Sequence, residues 1–257
     1  MQEGWSSLQA VSANPLQRNQ TLGRRKFRIF PETPRQLGKS GYRLHNKSAV
    51  QVAFNKLHCM DFDTPGQRWV WVYDNEAKKL QFNKPWSSIP PERRPIVLGS
   101  FYTRVDEEMY LDVGSIERAL AAIAFFNRHI KRASAELTYV AVYNRLPASQ
   151  AEHPGSCFDE LFASVDTGAI ERKIDERMEK VAELVQSGRI EDITNDRSFE
   201  LVEAFPANFY DEGLEHLRTT LMMRQTVALK RWDGHVDYCL ADLVNDVLLK
   251  PRSPVRH

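Results

Sequence analysis

Between Glu108 and Arg145 the apolar positions change period twice. Over Met109–Val113 they alternate, with Tyr110 and Asp112 opposite Leu111 and Val113, which predicts a strand. Ser115 then opens a helix that carries Ile116, Ala119, Leu120, Ile123 and Ile130 on one stripe. Alternation returns over Leu137–Tyr143, a second strand. From Ala119 to Phe126 the apolar run is unbroken, so this helix is expected to be covered on more than one side and to lie near the middle of the molecule. A strand, a helix and a strand at this spacing have the make-up of a parallel βαβ unit.

Upstream, Val50, Val52 and Phe54 alternate and predict a strand over 48–57. Arg68–Asp74, a turn at 75–79 and Leu80–Asn83 read as a β-hairpin. Pro85, Pro90, Pro91 and Pro95 mark a connector that a sheet interior excludes. A strand over Ile96–Arg104 then leads into the central unit. Downstream, Ile170, Ile174, Met178, Val181 and Val185 recur at helical spacing, with Gly188 where a C-cap belongs. Two more helices are expected at about 209–232 and 236–249, the last with Val236, Leu240, Leu243 and Val247 on one side.

The expected fold is α+β: a mixed sheet of about five or six strands with one central buried helix, followed by a helical C-terminal region. The ββαβ order of residues 96–145 resembles half of a ferredoxin-like sandwich, a topological analogy that leaves function open. The organisation read from these patterns is a flexible basic arm over 1–40, an α+β core domain over 41–165, a helical region over 166–250 packed on the core, and a tail over 251–257.

Composition sharpens this in two places. Net charge is +1, yet Arg18–Lys47 holds nine basic residues against Glu32 alone, and Asp166–Glu203 holds eleven acids against six bases. The chain is therefore electrically polarised, basic at one end and acidic where its helices begin. Cys59, Cys157 and Cys239 are odd in number and far apart, which argues against a zinc ribbon or a disulfide framework and for a reduced, cytoplasmic setting. Residues 1–28 contain one acid, Glu3, and are rich in Ser, Gln, Asn and Arg, so an organelle transit peptide is the competing reading. The longest apolar run has eight residues, too few for a membrane span, and no membrane partner is expected.

Candidate chemistry follows from the strands. Residues two apart share a face, so Trp69, Trp71 and Tyr73 line one side of their strand, and Tyr139 and Tyr143 one side of theirs. If the aliphatic faces all meet the central helix, the opposite face is a shelf of aromatic rings suited to stacking on single-stranded nucleic acid. Arg24, Arg25, Lys26, Arg28, Lys39 and Arg43 would supply phosphate contacts or engage an acidic protein partner. The competing reading buries the aromatic face under the C-terminal helices or against a partner or second copy of the chain. Asp61 and Asp63 point the same way in an extended segment, an arrangement that suits Mg²⁺ in phosphoryl or nucleotidyl transfer, although Pro65-Gly66 also explains them as turn residues.

Thr33–Ser40 resembles a phosphate-binding loop with its first glycine replaced, but it lacks a good helix start after it. HExxH, GxSxG, GxGxxG and CxxC patterns are absent. The leading expectation is a non-enzymatic binding module in a larger assembly, without a cofactor. A metal-dependent transferase using Asp61 and Asp63 is the alternative, and a pure protein–protein scaffold the third reading.

Overall fold

The computed structural model describes residues 36–105, 107–146, 158–189, 191–192, 196–207 and 214–248. In chain order its elements are β1 (Gly38–Leu44), α1 (Lys47–Asn55), β2 (Met60–Asp63), β3 (Arg68–Val72), β4 (Val97–Val105), β5 (Glu108–Val113), α2 (Ile116–His129) and β6 (Ala135–Tyr143). There follow the short α3 (Phe158–Leu161), α4 (Ile170–Gln186), β7 (Val202–Pro206), α5 (Leu214–Trp232) and α6 (Leu240–Leu248). The fold is α+β, and no described helix is long and apolar enough to cross a membrane. The seven described strands form one open sheet in the order β2-β3-β4-β5-β1-β6-β7, antiparallel at every pairing.

That order corrects the mixed sheet of five or six strands. The strands β5 and β6 do run parallel, but β1 lies between them and pairs with both. Small residues make the insertion work. A Cβ on Gly38 would crowd Val113 of β5 at 3.3 Å, and one on Gly41 would collide with Tyr139 of β6, so bare backbone lets β1 sit between its two partners. Proline and glycine around β1 disguised it in the sequence, because glycine ordinarily weakens a strand.

The stretch over 48–57 is helix α1 rather than a strand. Asn46 caps it by accepting a hydrogen bond from the Ala49 N–H at 2.9 Å, and Val50, Phe54 and Leu57 are buried while Val52 is 53 % exposed. Helical period therefore wins over alternation. The expected hairpin is also replaced: Asp74 caps a 3₁₀ turn over Asn75–Lys79, and β3 pairs with β2 and β4 instead. Phe82 still packs on Tyr73, its ring 5.0 Å away, without belonging to a strand.

The central helix is covered as the apolar run implied. Phe126 meets Phe54 of α1 and Phe101 of β4, while Ile116 and Ile123 join Leu217 and Leu221 of α5. These helices occupy one face of the sheet. On the other, Phe162 and Ile170 cover Leu37, Tyr139 and Ala141. The 166–250 region is helical but not wholly so, since β7 extends the sheet beside β6. Gly188 takes a φ of 72° after α4, the left-handed conformation that ends helices.

One position on the second face is sterically closed. A Cβ on Gly41 would lie 2.1 Å from Cε1 of Tyr139, whose ring crosses β1 at the glycine. Gly41→Ala is expected to lower the unfolding free energy by about 2 kcal/mol in urea titration, an overpacking cost. Adding Tyr139→Leu should make the two costs less than additive.

Candidate interaction surfaces

The five aromatic residues of the expected shelf do not share a face. Trp71 is 0 % exposed, stacked on Phe125 of α2 at 5.6 Å, and Trp69 packs between Phe54 and Phe62 at 5.4 and 5.1 Å. In β6 the aliphatics Val140 and Val142 do meet the helices, which sends Tyr139 and Tyr143 to the opposite side under Phe162 and Ile170. The strand β3 is reversed because the aromatic side chains of α1 and α2 converge over it, and two indoles fill that wide gap. Tyr73 is buried too: its hydroxyl donates to the Leu80 carbonyl at 3.0 Å and accepts from the Trp86 N–H at 2.9 Å. Trp71, Tyr73 and Tyr139 therefore turn no ring face to solvent.

Arg24, Arg25, Lys26 and Arg28 lie outside the described residues. Lys39, counted with the arm from sequence, is buried in the central strand β1. This also removes the phosphate-loop likeness, because Lys39 and Ser40 lie inside a strand rather than at a helix N-terminus. The Asp63 carboxylate accepts from Arg68 Nε at 2.9 Å, and the same guanidinium donates to the Tyr102 hydroxyl at 2.9 Å. Asp61 and Asp63 share a strand, yet no group of three or more His, Cys, Asp or Glu side chains among the described residues is placed to hold a metal.

Lys39 anchors a charge cluster that spacing could not reveal. Its ammonium is 2.9 Å from Asp112 of β5 and 3.2 Å from Asp159 of α3, and Arg104 reaches Asp159 at 2.8 Å. Burial raises the Asp112 carboxyl above its ordinary pKa although Lys39 opposes it. Asp159 also feels burial, but Lys39 and Arg104 together hold its pKa below the ordinary value. The cluster docks α3 on the sheet. Beside it a cleft of about 490 Å³ opens between Tyr110, Tyr139 and the start of α4. Arg43 lines the same cleft as Glu107, Glu108, Glu136 and Glu171.

A second polar cluster joins β7 to the helices. Arg224 of α5 grips Glu203 with two hydrogen bonds, Nε to Oε2 at 3.0 Å and Nη2 to Oε1 at 2.9 Å, and Asn144 Nδ2 donates to Oε2 at 2.7 Å. Burial alone would raise the Glu203 carboxyl, but Arg224, Asn144 and Arg177 hold it below its ordinary pKa. Sequence patterning missed β7, because five residues ending in proline carry too little alternation to stand out.

Along the outer edge of β7 runs a groove of about 430 Å³. Residues of both parities line it, Val202 and Ala204 from one face of the strand and Glu203 and Phe205 from the other, so it follows the edge rather than a face. Its far wall is α4, through Ile174, Val181 and Leu184. That helix carries a clean apolar stripe of which only Ile170 is buried; Met178 is 58 % and Val185 52 % exposed. Among the described residues, no strand pairs with the outer side of β7. An unpaired edge beside an uncovered apolar helix face is the geometry that accepts an added strand.

Comparison of the chain with protein-family models, with curated proteins and with solved structures found no match.

Proposed function

We propose that the chain is a non-enzymatic binding module of a larger assembly, and that it takes an extended partner segment into the groove between β7 and α4. The observation that carries this reading is the coincidence, along one groove, of an open sheet edge with the half-buried apolar side chains Ile174, Val181 and Leu184 of α4. Main-chain hydrogen bonds to the edge would supply affinity, and the α4 side chains would select apolar residues at alternate positions. Six carboxylates against three cations line the groove, which favours a segment that interleaves basic with apolar residues.

Single-stranded nucleic acid is the weaker ligand in this reading, since the rings that would stack on bases lie beneath α1, α2 and the 158–170 segment. For the architecture we read β6-β1-β5-β4, with α1 and α2 on one face, as a ferredoxin-like connectivity that β2, β3 and β7 extend. A cytoplasmic setting suits the buried free thiols of Cys59 and Cys239.

Peptide-display selection against the full chain tests the function. Selected sequences should alternate apolar and basic residues, and Val181→Asp should weaken their binding by about tenfold, the equivalent of about 1.4 kcal/mol. Selection without that alternation, or binding indifferent to Val181→Asp, would sink the proposal.

A further inference from the structure

We infer that the cleft beside the Lys39 cluster is a binding site for a small linear polyamine, a ligand whose ammonium groups are spaced along an aliphatic chain. The inference is independent of the groove between β7 and α4.

Charge is the first support. The cleft lies where β1 ends and β5 and β6 begin. There Arg43 is in register with Glu108 on one side and Glu136 on the other, one cation between two carboxylates of neighbouring strands. Glu107 and, from the first turn of α4, Glu171 line the same space, which leaves four acids against Arg43. The adjoining Lys39, Arg104, Asp112 and Asp159 balance two against two, so the negative surplus belongs to the cleft.

The second support is Tyr139. This residue is 5 % exposed, and its ring lies over Gly41, reaching from β6 across β1 toward Tyr110, which pairs with Gly41 from β5. Its hydroxyl has no hydrogen-bond partner among the described residues, and the residue lines the cleft. A phenol otherwise enclosed in protein thus ends unsatisfied at this opening, where a ligand N–H would complete it. Burial first, and then the neighbouring Tyr110, Glu108 and Asp112, raise the Tyr139 hydroxyl above its ordinary pKa. It therefore stays neutral and can accept from an ammonium group. The Tyr110 hydroxyl donates to Glu108 and so fixes that carboxylate on the same side of the cleft.

The spread of the acids selects the shape of the ligand. Among the described residues no group of three or more His, Cys, Asp or Glu side chains is placed to hold a metal, so these carboxylates do not converge on a point charge. They stand on two walls instead, Glu108 and Glu136 at the strand ends and Glu171 on α4, while Ile170 and Pro206 add apolar surface. A chain with ammonium groups toward its ends would meet both sets of acids and lay its methylenes on that surface. The volume of about 490 Å³ is in the usual range of small-molecule sites.

Isothermal titration calorimetry of the full chain with spermidine, at low ionic strength, tests the inference. One site per chain is expected. Glu136→Gln should weaken binding by about fivefold, and so should Tyr139→Phe, which removes the hydroxyl and keeps the ring. The Glu136 side chain is half exposed, so Glu136→Gln should leave the melting temperature unchanged and its loss of affinity reports on the site. Butylamine, with a single ammonium group, should bind at least about tenfold more weakly than spermidine. Absence of heat, or an affinity indifferent to both substitutions, would overturn the inference. Butylamine binding as tightly as spermidine would do the same, as would displacement of spermidine by an equal concentration of Mg²⁺, which would reduce the cleft to a non-specific acidic surface.

Discussion

Trp71→Ala should lower the unfolding free energy by about 4 kcal/mol, read from the urea midpoint at unchanged slope. The indole is 0 % exposed, stacked on Phe125 and edge-on to Phe126 at 5.1 Å. Removing it leaves a cavity where α2 meets β3, and the aromatic cluster of Phe54, Phe101 and Phe126 cannot collapse into it without losing its own contacts. This substitution separates two roles for the residue. A surface stacking ring would cost stability no more than about 0.5 kcal/mol and would change only ligand affinity. A small stability change would therefore refute the packing of Trp71 between sheet and helix described above.

The next largest effect is expected at Arg224. Arg224→Met should destabilise by about 3 kcal/mol, because it takes the two-pronged cation from a Glu203 carboxylate only 13 % exposed. Replacing both partners, as Glu203→Leu with Arg224→Met, should recover most of the loss, since no unpaired acid is then buried at that point. The pH dependence carries a sign. The folded pKa of Glu203 lies below the ordinary 4.5, so its contribution is complete above that value and fades as pH falls through the lowered one. In Arg224→Met the two-pronged cation is gone, and burial favours the protonated acid against only the more distant Arg177 at 3.7 Å and the Asn144 amide. The variant's deficit should therefore be largest at neutral pH and shrink in acid. A deficit that grew on acidification would contradict the ion pair as the cause.

Both effects arise where distant parts of the chain meet, and that is also the limit of what the chain pattern conveys. Local periodicity determined α2, with its unbroken Ala119–Phe126 run and Ser115 cap, and the flanking β5 and β6. It determined α4 and its Gly188 stop equally well. Such elements are written into consecutive residues, whose spacing alone decides helix or strand. At 48–57 one sequence satisfied both periods, and the Asn46 cap with burial of Phe54 against α2 settled it as helix. The partner of a strand has no local signature: β1 between β5 and β6 depends on bare backbone at Gly38 and Gly41 beside Val113 and Tyr139. Alternation likewise says which residues share a face, but not which face meets the helices. In β6 the aliphatic side turned to α2 and α5, and in β3 the indoles did, because the ring cluster of α1 and α2 left a gap only large side chains fill. The edge of β7 belongs wholly to tertiary structure, since a five-residue strand becomes the wall of a groove only once β6 pairs with one side of it and α4 stands along the other.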